Sequence, residues 1–284
     1  MKANLYALGA IALWATLATL GVSLSHVPPF LLTGLSLLIG SVIALPLLRH
    51  DPHQWRVPIS TLVLGVYGLF GFHFLLFIAL RHAPPVEANL INYLWPLFMV
   101  VLAPLLLPGL QLRSAHIAAA LLGFAGAAMA ILGASGDLPG SAVATGGWLW
   151  GYLLALASGL IWASYSLLTK RVKPFPTAAI GLFGLLSGLL SLLCHWALEP
   201  ATHLSRHDWL LIVVMGLGPL GAAFFLWDRA LKLGDARHIG ILSYLTPLTS
   251  TMLLLAVTQR PLTWSIALAS VMIVGAAVWG LRGK

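Results

Sequence analysis

Charge is what this sequence has least of. Among its 284 residues 8% are Asp, Glu, Lys or Arg while 60% are hydrophobic, against roughly 25% charged in ordinary soluble domains. A water-soluble fold has too little polar surface here to cover that apolar content. Cysteine is almost absent as well: the single Cys194, inside an apolar run, excludes an intramolecular disulfide and a cysteine-based metal cluster, and reads as helix packing. Also missing are the alternating segments of roughly ten residues that mark a membrane β-barrel, the one spanning alternative to helices when lipid cannot satisfy backbone groups. No His-Glu-x-x-His, no Gly-x-Ser-x-Gly and no paired aspartates inside an apolar span occur, so the common signatures of a membrane-embedded enzyme are lacking.

What is present is a series of apolar runs near 20 residues long, the length at which a helix rising about 1.5 Å per residue crosses a hydrocarbon core of roughly 30 Å. The pattern predicts an all-α integral membrane protein of ten transmembrane helices, over 4–22, 30–48, 59–80, 86–107, 114–133, 148–168, 177–198, 209–230, 237–257 and 262–281. Pro, Gly and charge clusters punctuate them, as at Pro84-Pro85, Pro108-Gly109 and Lys173-Pro174-Phe175-Pro176. A second span follows the first after a short turn, so the first is read as a helix and not a removable signal peptide. Lys2, Arg49, Arg56, Arg113, Lys170, Arg171, Lys173, Arg229, Lys232, Arg237, Arg282 and Lys284 fall on one side of these spans; Arg81, Arg206 and Arg260 fall on the other. The positive-inside rule then puts both termini in the cytoplasm. The net charge of +8 reflects this flanking and not an aromatic-studded basic face, so nucleic acid is not an expected partner; the bilayer is.

The two halves resemble each other. Ala79-Leu80-Arg81 aligns with Ala230-Leu231-Lys232, and without a gap Tyr93-Leu94-Trp95-Pro96 aligns with Tyr244-Leu245-Thr246-Pro247, a constant separation of 151 residues. Leu13-Trp14-Ala15-Thr16 resembles Ile161-Trp162-Ala163-Ser164, and Gly126-Ala127-Ala128 resembles Gly275-Ala276-Ala277. Two repeats follow, 1–140 and 141–284, of five helices each. An odd number of helices forces the repeats to insert with opposite orientations, which supplies two packings, one open to each side, and so alternating access. A monomer is compatible with that arrangement.

Pro96 and Pro247 are predicted to kink the fourth and ninth helices and to free a carbonyl in each, the pattern of a central binding or gating site. Beside them, Asn92 offers an amide that both donates and accepts, either to a substrate's charged groups or to a neighbouring helix. Tyr93, Ser243 and Tyr244 offer hydroxyls at matching depth. Trp14, Trp95, Trp162 and Trp227 fall inside spans and as a set are read as lining an aromatic pocket, with the first three as candidates to meet a substrate ring; Trp148, Trp150, Trp209 and Trp264, near span ends, read as interface anchors. His73, in mid-span, either meets substrate or a proton, or is a satisfied structural histidine. Glu87 is expected to pair with Arg81, and Asp228 with Lys232 one turn later. No carboxylate lies mid-span, which disfavours tight proton coupling or a cationic substrate, with His73 keeping the first open. Neither a cofactor nor a metal is expected.

The repeat pattern, the Asn92-Tyr93-Leu94-Trp95-Pro96 string preceded by Glu87, and the Trp14 and Trp162 segments resemble the drug/metabolite transporter superfamily, specifically its ten-helix EamA-type carriers of the bacterial inner membrane. The resemblance spans essentially the whole chain. It implies a secondary transporter, not an enzyme, exporting Trp, Phe or Tyr and some flat compounds, with Trp14, Asn92, Tyr93, Trp95, Trp162, Ser243 and Tyr244 as the matching site positions. Another metabolite or a cationic drug is the alternative cargo. His73 departs from the small or acidic pattern of that family, and the Arg81–Pro85 connection is short for it.

Overall fold

The computed structural model describes residues 2–135, 148–258 and 264–282, and every regular element in them is helical. Nine helical runs are long and apolar enough to cross a membrane: α1 Lys2–Ser23, α2 Pro29–His50, α3 Ile59–His82, α4 Glu87–Leu106, α5 Ser114–Leu132, α6 Trp148–Leu168, α7 Ala179–Leu198, α8 Arg206–Leu233 and α9 Ala236–Val257. A shorter apolar run, α10, covers Trp264–Trp279. Each lies within a few residues of its sequence-predicted span. The boundary expected near residue 140, together with Arg260 and Lys284, falls outside the described residues.

Several of these helices are interrupted, and the interruptions position the interior. In α3 a π-type turn occupies Tyr67–Gly71, and in α8 another occupies Gly218–Ala222, again 151 residues apart. In α4 the helix stops at Asn92 and resumes at Trp95; in α9 it stops at Leu242 and resumes at Leu245. The expected kinks at Pro96 and Pro247 are therefore breaks that begin upstream of each proline. Both prolines sit in the first turn of the resuming helix, where N–H groups have no intrahelical acceptor, so the missing donor costs no helical hydrogen bond. The Asn92 carbonyl lies against Gly159 of α6, where a Cβ would sit 2.9 Å from it. Glycine is what lets α6 approach the α4 break this closely.

Side-chain contacts sort the connections into two ends. At one, Trp55 Nε1 donates to Ala178 O (2.8 Å), Lys170 Nζ donates to Leu231 O and Gly234 O (2.8 Å), and Arg237 Nη1 donates to Gln111 O (2.6 Å). Lys232 there pairs with Asp228 at 2.7 Å, as expected, and its Nζ also donates to Phe175 O at 2.8 Å. We call this the basic end. At the opposite end Glu199, its carboxylate fully buried, accepts from the Phe30 and Leu31 N–H groups that open α2 (3.0 and 3.2 Å) and pairs with Arg81 (2.6 Å) and His195 (3.0 Å). The expected Glu87–Arg81 pair is thus replaced by Glu199–Arg81. Glu199 gains from the orphan N–H groups and the dipole at the start of α2 and is buried there, whereas Glu87, although in the first turn of α4, is exposed to solvent screening.

Candidate functional site

Between α1, α2, α3, α4, α6, α8 and α9 lies a cavity of about 390 Å³, within the ~300–1,000 Å³ usual for small-molecule sites. Six of the residues singled out from sequence line it: Trp14, His73, Asn92, Tyr93, Trp95 and Trp162. Its aromatic wall is continuous. Trp162 meets Trp14 edge-on at 5.8 Å between ring centroids, Trp95 edge-on at 6.4 Å, and Phe72 and Phe224 at 5.4 and 5.7 Å. Trp227 backs all three tryptophans, 2% exposed, stacked on Trp162 at 6.2 Å with its Nε1 donating to Ser166 Oγ. It supports the wall without reaching the cavity.

The two π turns place the ring-bearing positions that follow them. Leu69 lies in the first, where the regular i to i+4 pattern is lost, and its carbonyl accepts from His73 Nδ1 at 2.6 Å. That bond fixes the proton on Nδ1 and leaves Nε2 as an acceptor. Pro219 lies in the second, and its carbonyl accepts from Trp14 Nε1 at 3.1 Å. His73 and Phe224, 151 residues apart, follow the two turns at equivalent positions and face each other at 6.3 Å. Among the described residues the Trp95 and Trp162 N–H groups have no protein acceptor, unlike those of Trp14 and Trp227.

Polar groups complete the lining: Asn89 and Asn92 from the first segment of α4, Tyr93 from the break after it, Thr246 and Ser250 from the second segment of α9, and Thr33. Ser158 of α6 reaches Asn92 among them, its single hydroxyl proton serving Phe72 O at 3.0 Å or Asn92 Oδ1 at 3.3 Å. Thr246 Oγ1 is buried with no hydrogen-bond partner among the described residues. Among the described residues no Asp, Glu, Lys or Arg lines the cavity. Such a site suits a ligand of zero net charge that carries a ring and hydrogen-bonding groups, because a net charge buried there would have no counter-ion.

Ser243 and Tyr244 are not brought to the cavity. Ser243 Oγ turns back to Ile239 O at 2.7 Å, and Tyr244, fully buried, packs with Ala127, Leu248 and Ile273 over Gly123, which leaves room for its ring. The break in α9 resets the rotation of the chain, so Thr246 faces inward where Tyr244 was expected. The signal was in the sequence: Thr246 is the one position that differs between the aligned strings Tyr-Leu-Trp-Pro and Tyr-Leu-Thr-Pro, and it matches Trp95. Phe224, the match of His73, was legible in the same way, whereas Asn89, Ser158 and Ser250 carried no comparable mark. Trp148, Trp150, Trp209 and Trp264 are exposed, Trp264 at 91%, as anchors at an interface would be.

At the basic end, burial lowers the pKa of the Lys170 ammonium. Burial acts to raise that of the Asp235 carboxyl, but hydrogen bonds from Arg237 hold it below the usual carboxylate range.

Comparison with known proteins bears on this geometry directly. The model of the EamA-like transporter family matches residues 1–132 and again 149–281. The chain belongs to the EamA-like transporter family. Relatives of this transporter include the aromatic amino acid exporter YddG of Ancylobacter novellus, 43% identical over 97% of this chain and 96% of that one. The protein of the same name from Salmonella typhimurium is 30% identical over 96% of this chain and 94% of that one. A solved crystal structure superposes with a TM-score of 0.90 at 39% identity, covering 99% of this chain and 97% of that one. Family and apolar helices together make this a multi-pass membrane transporter of the bacterial inner membrane.

Proposed function

We propose that the transporter exports aromatic amino acids, Trp, Phe and Tyr, with related flat compounds, by alternating access at the central cavity. The observation that carries the reading is a cavity walled by Trp14, Trp95, Trp162, Phe72 and Phe224, with neutral polar groups in its lining and no charged side chain among the described residues. An aromatic amino acid is such a ligand: a flat ring with a zwitterionic end. Its ring packs against Trp95 and Trp162. His73 Nε2 and the Asn92 carbonyl oxygen accept from its ammonium, while Tyr93, Thr246 and Ser250 hydroxyls donate to its carboxylate. Ser243 and Tyr244 leave the binding set, and Thr246 enters it. The names of the relatives point the same way.

The working architecture is ten crossings in two inverted five-helix repeats, 1–140 and 141–284, with both termini cytoplasmic. The twofold match of the family model and the paired π turns and helix breaks support the repeat. On this orientation the basic end is cytoplasmic. Leu17, Ala18, Gly21, Leu32 and Thr33, which line the cavity, belong to the other end, so the cavity opens outward and the basic end is shut. Rocking of the repeats opens it inward. A monomer suffices.

Labelled tryptophan flux into proteoliposomes of purified protein tests the proposal, with unlabelled Phe, Tyr, Ala and a flat cation as competitors. Saturable flux inhibited by Phe and Tyr but not Ala is expected. Equal inhibition by Ala, or no flux above empty vesicles, overturns the substrate assignment.

A further inference from the structure

A second cavity, of about 480 Å³, lies at the basic end between the α4–α5 connection and the start of α9, well away from the substrate wall. Gln111, Arg113 and His116 form one side, Asp235, Arg237 and His238 the other. Its one acid is already neutralised: Arg237 holds Asp235 through Nε and Nη2, at 3.1 and 2.6 Å, while its Nη1 reaches Gln111 O at 2.6 Å. This clamp joins the two sides of the cavity and offsets the repulsion that Asp235 would present to an anion.

What remains in the lining is donor-rich. Arg113 directly precedes α5, whose first N–H groups add the positive end of a long helix. His116 is 1% exposed; its Nδ1 accepts from the Arg113 N–H at 3.4 Å, which puts the ring proton on Nε2. That Nε2 is buried and has no hydrogen-bond partner among the described residues. The His238 ring lies 6.0 Å from it, centroid to centroid. A buried donor, a guanidinium and a helix N-terminus converging on one cavity, with its carboxylate internally paired, make a site for an acceptor-rich anion.

We infer that this cavity binds a phosphate group. Its place among the basic connections is the level of lipid headgroups, and basic pockets between helices at the cytoplasmic surface are where anionic headgroups dock. The phosphate of an anionic phospholipid and inorganic phosphate present the same chemistry to Arg113 and His116, and the test separates them. The inference does not rest on the substrate assignment.

Native mass spectrometry of the detergent-purified full chain, titrated with phosphatidylglycerol or phosphatidylcholine, reads the site. Phosphatidylglycerol should be retained at least fivefold better than phosphatidylcholine, with the preference lost in Arg113→Gln and in His116→Phe and kept in Arg56→Gln. Arg113 is exposed, and unaltered thermal unfolding confirms folding of each variant. If inorganic phosphate displaces the lipid, or alone raises the unfolding temperature of the wild type but not of Arg113→Gln, the site stands and its source is soluble phosphate. Equal retention of phosphatidylglycerol by wild type and Arg113→Gln, or no preference for either lipid and no effect of phosphate, overturns the inference.

Discussion

The C-terminal parts of α1 and α6 are matched segments that behave in opposite ways. In α1 the Thr16 hydroxyl takes Leu13 O at 2.7 Å and a turn follows; none of the residues from Leu17 to Ser23 is buried, and Leu17, Ala18 and Gly21 edge the cavity. In α6 the matching Ser164 bonds back to Leu160 O at 2.7 Å, yet the helix runs on, with Tyr165, Ser166 and Leu167 buried and Lys170 capping the α8 carbonyls. The same chemistry of a hydroxyl bonding its own helix breaks one and not the other, because tertiary partners decide. Tyr165 lies over Gly68, and Tyr67 OH meets Ser164 Oγ at 2.9 Å. Lys170 and Asp228 have no charged counterparts in the first half, where the aligned positions are Val22 and Phe77. On the proposed alternating-access scheme, these one-sided contacts favour one of the two packings over the other.

The comparison breaks most sharply at the tryptophan pair. Trp162→Ala is expected to cut tryptophan transport roughly thirtyfold, since truncating an aromatic anchor costs about 2 kcal/mol or more, while Trp162→Phe keeps most of it; proteoliposome flux per folded protein reads both. Trp14→Phe instead removes the bond to Pro219 O, so a loss of about 1 kcal/mol in stability with near-normal flux distinguishes the matched rings.

Lys170→Met removes the clasp at the basic end. A cation at helix C-terminal carbonyls contributes about 0.3–2 kcal/mol, so the balance should move toward the inward-open packing by on the order of two- to thirtyfold, read as cysteine accessibility from each side. No shift would mean that the asymmetry lies elsewhere. Thr16→Ala should make α1 more like α6: helix propensity improves by roughly half a kcal/mol, and flux should fall about twofold as the cavity mouth stiffens. The smallest effect on transport at saturating tryptophan belongs to Thr246→Val. It deletes a buried hydroxyl without a partner, so thermal stability should hold or rise by about 1 kcal/mol while the apparent affinity for tryptophan weakens a few-fold.

Much of this was legible from sequence. Runs near 20 residues located the helices, the 151-residue alignment located the paired breaks, and the in-span tryptophans located the cavity wall. What failed did so for physical reasons. Ser243 and Tyr244 were chosen for hydroxyls at a depth matching Tyr93, but the helix stops after Leu242 and resumes at Leu245, so depth alone does not give the direction each side chain takes. Arg81 was given its sequence neighbour Glu87, whereas Glu199, more than a hundred residues on, wins by also satisfying the α2 N-terminus. Ser158 was not singled out, because nothing in its local sequence reveals that its hydroxyl reaches Asn92.

The most direct measurement places a cysteine at Ala18, on the cavity edge, in a Cys194→Ser background, and follows its alkylation by a membrane-impermeant maleimide applied from the side opposite the basic end. Tryptophan and phenylalanine should slow the labelling at transport concentrations and alanine should not. Labelling that proceeds at the same rate with and without tryptophan would contradict the assignment of this cavity as the substrate site.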